Sequence, residues 1–182
     1  VDKNLRFDNH ISLVVHKSLQ RGNLILKCFQ SRDRNLLMKA FKVYVRSLLE
    51  YATPVWSPHF MYVIWKIEHV QRSFTKRLFG LKNLTYSDRL KQLEIDTLEH
   101  RRLIYDLCTC FKIIHGYNDM CLDMHLEGRP NNTRGHNLRL SKELCRTDML
   151  RFFFCNRICT VWNSLPLDVV NAPSVSSFKK RV

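Results

Sequence analysis

Acidic residues are scarce in this chain. Sixteen Asp and Glu stand against 30 Lys and Arg among 182 residues, a formal net charge of +14. Such an excess repels itself unless an anionic partner screens it, and a nucleic-acid backbone is the commonest partner of that kind. No Asp-Asp pair occurs anywhere, whereas polymerase chemistry needs closely placed carboxylates to hold two metal ions. A Gly-rich phosphate loop of the P-loop or Rossmann kind is missing too, and no Ser, Cys or Thr sits in a context that marks a nucleophile. The reading is therefore a non-enzyme, with no catalytic residue and no cofactor of its own. Long apolar runs are absent: none approaches the ~18–20 residues that span a bilayer. The basic residues are spread along the chain rather than gathered beside one apolar segment, which disfavours a membrane partner. The first ten residues carry charges of both signs, unlike a signal peptide. An intracellular protein of nucleus or cytoplasm is the expectation.

A disulfide framework is also not expected. The seven cysteines are irregularly spaced, and Cys28, Cys155 and Cys159 fall inside helical apolar patterns, as reduced core-filling thiols do. Cys108, Cys110, His115, Cys121 and His125 suggest a metal, but structural zinc wants two rigid knuckles with a C-x2-C pair on each. Cys108-x-Cys110 on a helix points its thiols to different faces, so no metal site is assigned.

What is present is helical periodicity. Residues 1–7 alternate briefly, like the end of a strand. Asp8 or Asn9 can cap a helix with Ile11, Val14, Val15 and Leu19 on one face, which Gly22 and Asn23 would weaken or kink. Ser31 or Asp33 starts a second helix with a stripe of Leu36, Leu37, Ala40, Phe41, Tyr44, Val45 and Leu48. It ends near Tyr51–Ala52, because Pro54 disfavours helix at Thr53. A third runs from His59 to Phe79 with Ile64, Ile67, Gln71, Phe74 and Leu78 aligned and Gly80 as C-cap. Thr85 caps a short helix. Thr97 caps a longer one, with Leu103, Ile104, Leu107, Phe111 and Ile114 inward and Gly116 at its end. Residues 117–135 are loop chemistry and make the expected internal boundary. Beyond them, Asn137 to Leu140 alternates like a short strand, and Thr147 to Asn163 reads as a helix bearing Phe152, Phe153, Phe154 and Trp162. Ser174 caps a last helix. The expectation is a mainly α fold: a helical bundle over 8–116, a linker over 117–135, and a smaller α-rich lobe over 136–182 with room for one short β-hairpin. A start at Val1 without Met, and an end at Lys179-Lys180-Arg181-Val182 within that last helix, suggest a fragment.

Arg72, Lys76, Arg77, Lys82, Arg101 and Arg102 are the candidate phosphate contacts. Arg72 and Lys76 are four apart and share a helix face, which can lie along a phosphate backbone and release counterions. Few acids compensate them. Tyr51, Trp56 and Trp65 could stack on bases, although helical spacing favours core packing for each.

Blocks of sequence then resemble a family. Leu49-Glu50-Tyr51-Ala52-Thr53-Pro54-Val55-Trp56 is similar to the "LEYA-x-PVW" signature of jockey-like and chicken-repeat-like non-LTR (LINE) retrotransposon polyproteins. Ile67-Glu68-His69-Val70-Gln71-Arg72, Tyr86-Ser87-Asp88-Arg89-Leu90, Leu98-Glu99-His100-Arg101-Arg102-Leu103 and Thr133-Arg134-Gly135-His136 resemble it as well. So do Trp162-Asn163-Ser164-Leu165-Pro166 and Ala172-Pro173-Ser174-Val175 through Phe178-Lys179. The likeness covers nearly the whole chain in the right order. It implies the thumb and post-thumb region of a reverse transcriptase, with residues 1–7 leaving the palm. The Tyr/Phe-Ala-Asp-Asp motif that holds magnesium in the palm is absent here, so no catalytic residue carries over. The implied partners are RNA, an RNA–DNA hybrid or DNA, and the palm and fingers of the parent polyprotein. A bracing or protein-interaction module without nucleic-acid contact, or a relic without function, are the alternatives.

Overall fold

The computed structural model describes residues 6–117, 136–142 and 144–182, and it is mainly helical, as the periodicity predicts. The chain divides into two units, 1–102 and 103–182.

In the first unit, α1 (Asp8–Cys28) buries Ile11, Val15, Ser18, Gly22 and Ile25, a spacing of three and four that keeps one face turned to the core. Neither Asp8 nor Asn9 caps it by its side chain. Phe7 holds the N-cap position in the left-handed region at φ 56°, and the Ser12 hydroxyl donates to the Asp8 carbonyl over 2.7 Å. The helix is not broken at Gly22. This residue faces α5 (Met61–Lys76), where Phe74 Cδ2 lies 3.5 Å from the place a Cβ would take.

Asp33, not Ser31, caps α2 (Arg34–Phe41), its carboxylate accepting from the Asn35 and Leu36 amides. A π-helical turn over Lys42–Arg46 follows, then α3 (Ser47–Glu50). The π-turn inserts one residue into the helical repeat. The buried positions therefore run Leu37, Phe41, Val45, Leu49. Tyr44 and Leu48, predicted to lie inward, are carried away from the core: Tyr44 is exposed and Leu48 half-buried.

The helix stops before Tyr51, close to the predicted end, although Thr53, expected to be non-helical ahead of Pro54, is itself helical. Ala52 turns the chain at φ 52° into the single turn α4 (Thr53–Trp56). Trp56 is 4% exposed, with its indole N–H on the Tyr51 carbonyl at 2.7 Å. The third helix is shorter than predicted. It ends at Lys76, and Gly80 serves the following turn at φ 75° rather than the helix terminus.

Thr85 caps α6 (Tyr86–Leu93) through the Asp88 amide, and Thr97 Oγ1 accepts from the His100 amide at 3.1 Å at the start of α7 (Leu98–Ile114). The five positions expected inward on the third helix are all buried, Leu78 from the turn after α5 rather than from the helix itself.

The second unit is built on the later part of α7. Leu107, Cys110 and Phe111 join Phe154, Ile158, Trp162, Val170 and Phe178 in one core. The division between units thus falls inside α7, after Arg102, and not in the 117–135 loop. Leu103, expected inward, is 37% exposed. Most of the expected linker, 118–135, lies outside the described residues, as do 1–5. The 147–163 helix is two elements, α8 (Asp148–Arg151) and α9 (Phe154–Asn163). Phe153 between them is exposed and Phe152 half-buried, while Phe154 and Trp162 enter the core. Among the described residues the expected hairpin does not form. Instead the Asn163 carboxamide satisfies Leu140, accepting from its amide at 2.9 Å and donating to its carbonyl at 2.8 Å. The Trp162 indole likewise donates to the Leu138 carbonyl at 2.7 Å. The Asp106 carboxylate takes a forked pair of hydrogen bonds from Arg157 at 2.9 and 3.1 Å. Two single-purpose helices close the unit, α10 (Leu167–Val170) and α11 (Val175–Arg181), the latter capped by Ser174.

Cys110 and Cys159 are buried, and burial pushes both thiols up in pKa. Cys28 is exposed, contrary to the expectation of a core thiol, because it sits at the end of α1 past the last buried position, Ile25.

Candidate nucleic-acid-binding face

The solvent side of α5 carries Met61, Trp65, His69, Arg72 and Lys76, all exposed. Their separations of four, four, three and four residues set them in one row along a 3.6-residue helix. Glu68, three residues after Trp65 and four before Arg72, adjoins this row on the helix but is only 5% exposed, so no exposed carboxylate stands among its cations and rings.

Arg72 is held in place rather than left to wave. Its guanidinium lies 4.5 Å from the centroid of the Tyr86 ring, and Arg89 approaches the same ring at 5.4 Å. An aromatic face attracts a cation electrostatically. Tyr86 is fixed in turn. Its hydroxyl donates to the Glu68 carboxylate and accepts from the Gln71 amide at 3.0 Å. Gln71 also donates to the Asp96 carbonyl at 2.9 Å, and the other Glu68 oxygen accepts from the Leu98 amide at 3.0 Å. The Arg89 guanidinium donates to the Arg72 carbonyl at 3.0 Å. This network ties α5, α6 and the start of α7 together beneath the exposed row. Burial, and then the neighbouring Glu68, raise the Tyr86 phenol well above its ordinary pKa.

The six predicted phosphate contacts separate into two groups. Arg72, Lys76, Arg77 and Lys82 are exposed on α5 and the turn after it. Arg77 reaches back to α1, donating to the Asn23 side chain at 2.6 Å. Arg101 and Arg102 do not join them. Arg101 grips the Glu50 carboxylate, with one of its two hydrogen bonds at 3.1 Å, and Arg46 stands 3.5 Å from the same carboxylate. Arg102 is only 3% exposed. Both basic side chains serve the packing of α7, because helix phase turns them inward where a sequence window shows only charge.

Of the three aromatic candidates, Trp56 is core, as its spacing predicts. Tyr51 at 77% and Trp65 at 63% exposure are not. Tyr51 sits past the end of α3, and Trp65 lies in the row just described. Sequence reasoning placed Arg72 and Lys76 on one face but missed that Trp65 shares it. The signal lies in the separations of seven and four residues, which return to one side of a helix. Tyr86 was also missed as the platform beneath Arg72, because that pairing joins residues fourteen apart across a turn.

Among the described residues no group of His, Cys, Asp or Glu is placed to hold a metal ion, and Cys121 and His125 lie outside them. No helix there is long and apolar enough to cross a membrane.

The chain is similar to an uncharacterized protein of Caenorhabditis elegans, 29% identical over 119 residues, which is 64% of this chain and 60% of that relative. It therefore spans less than two thirds of that relative's length. No family model matches the chain. No solved structure matches it.

Proposed function

We propose that this chain is the non-catalytic thumb and post-thumb part of a non-LTR retrotransposon reverse transcriptase, and that α5 grips the backbone of an RNA template or RNA–DNA hybrid. The observation that carries the reading is the exposed row Trp65, His69, Arg72 and Lys76, continued by Arg77 and Lys82, with no exposed acid on α5. Cations at that spacing meet successive phosphates, and a tryptophan in the same row offers a ring for an unpaired base. Contacts of this type position a duplex without reading its sequence. Magnesium and the chemistry would belong to the palm of the parent enzyme.

Salt dependence tests the grip. Four phosphate contacts give a slope of log K against log salt of about −3.6, and reversing Lys76 and Lys82 to Glu should bring it to about −1.8. Unchanged hybrid affinity in that double variant, with unchanged melting, would sink the reading.

A second reading is favoured by the exposure of Met61, Tyr62 and Trp65 on the first half of α5. Apolar groups gathered on one face suit a protein surface, so the bundle would brace the palm or bind a partner protein. Under that reading Trp65→Ala weakens assembly with the palm fragment, and Lys76→Glu does not alter hybrid affinity.

A further inference from the structure

A cleft of about 800 Å³ opens in the first unit between the start of α2 and the end of α6. Four cations line it: Arg32, Arg34, Lys39 and Lys42. Two acids face it as well. Asp33 is occupied, its carboxylate accepting from the Asn35 and Leu36 amides, and Glu94 stands at the C-cap of α6 at φ 50°. The lining remains net positive by two, from four cations less two carboxylates. Half-buried Leu93 adds apolar surface, Met38 is only 5% exposed and belongs to the core, and Asn35 and Gln92 add carboxamides.

That set matches a particular ligand chemistry. Arginine forks and lysine ammoniums bind phosphate oxygens. Apolar side chains accept the faces of a flat ring, and carboxamides can donate and accept at its edge. The volume lies in the range of small-molecule sites, roughly 300–1,000 Å³. We propose that this cleft binds a nucleotide through its phosphate, with the base laid against Leu93. The nucleotide comes either from the end of a nucleic-acid strand or free in solution. The cleft adjoins the turn after α5, because a Cβ at Gly80 would collide with the Arg34 guanidinium. It nevertheless shares no residue with the α5 row, so the two sites stand or fall separately.

The full chain is titrated with a short labelled oligodeoxythymidylate by fluorescence anisotropy, and with ATP and inorganic phosphate by calorimetry. Each lost charge-assisted contact weakens binding by at least about tenfold. Lys39→Glu/Lys42→Glu should therefore lower affinity for the bound probe by more than that. Loss confined to the oligonucleotide assigns the site to a strand, and loss of ATP binding assigns it to a free nucleotide; either supports the proposal. Equal affinity of variant and parent for both, at equal melting temperature, overturns it. So does inorganic phosphate binding as tightly as the nucleotides. Lys76→Glu/Lys82→Glu should leave ATP binding unchanged. If that pair abolishes oligonucleotide binding while the cleft pair weakens neither oligonucleotide nor ATP binding, the cleft proposal falls and the α5 grip survives. Should the cleft variant unfold, the Asn35 and Gln92 side-chain amide signals of the unaltered chain decide: shifts with ATP or oligonucleotide support the site, and unmoved signals overturn it.

Discussion

Replacing Glu68 by alanine removes the acceptor that joins three helices of the first unit. The carboxylate is 5% exposed and takes hydrogen bonds from the Tyr86 hydroxyl and, at 3.0 Å, from the Leu98 amide. Bonds to a charged group are worth about 1.5–3 kcal/mol each, so two give roughly 3–6 kcal/mol gross. Relief of burying a carboxylate offsets part of that. The Leu98 amide, left without its acceptor at the start of α7, adds about 1–3 kcal/mol of cost. The net expectation is a loss of about 3 kcal/mol. For a unit of this size that lowers Tm by on the order of 12 °C or more. Glu68→Gln keeps the shape and one acceptor oxygen, and should cost only about 1–2 kcal/mol. Urea titrations followed by circular dichroism measure both. Hybrid binding should follow the same order, weakest in the alanine variant, which frees Tyr86 and takes the platform from Arg72. An alanine variant within 0.5 kcal/mol of the parent, where such measurements lose resolution (roughly, on the scale of surface substitutions), would show that the network is not what joins these helices.

Gly22→Ala should stabilise the first unit by about 0.5–1 kcal/mol, because the position is mid-helix and the new methyl meets Phe74 at ordinary contact distance; a lower Tm would mean that α1 and α5 are packed too tightly to accept it. Asp106→Ala strands the Arg157 guanidinium in the second unit and should cost about 3 kcal/mol, whereas Asp106→Leu with Arg157→Met should cost far less; equal losses in the single and double variants on chemical denaturation would refute the pair's role. Tyr86 has a folded-state pKa above its ordinary value of 10.0, so the stability it contributes is complete below pH ~10 and declines as pH rises through the folded value. Parent stability should therefore fall more steeply above pH ~10 than that of Tyr86→Phe, and parallel curves from pH-dependent urea melts would contradict this.

Much of the fold follows from local rules that residues obey wherever they are placed. Apolar spacing on α5 identified its buried face without error, since every position from Ile64 to Phe74 keeps helix phase. Thr85, Thr97 and Ser174 cap because a hydroxyl beside free amides has few better partners. Pro54 did not keep Thr53 out of helix: it sits in the first turn of α4, where proline is tolerated, and the preceding helix breaks at Tyr51 and Ala52. Leu36 and Leu103, expected inward, are exposed in regular helix, and on the second helix phase was lost at a change of backbone repeat. The π-turn at Lys42–Arg46 moved the stripe by one residue, so Leu49 took the place expected of Leu48. No local preference in that stretch announces the insertion.

The candidate face divides in the same manner. Sequence alone determined that the chain is basic, helical and without a paired-carboxylate motif, because charge and periodicity are properties of the residues themselves. It also determined that Arg72 and Lys76 share a side of one helix. Tertiary structure decided which cations remain available: Glu50, distant in sequence, draws Arg101 inward, and packing around α7 buries Arg102. It decided likewise that Trp65 faces solvent while Trp56 does not, and that α7 ends in a second core. Those outcomes depend on what each residue meets across the bundle, and a contact between residues fifty positions apart leaves no local trace in the chain.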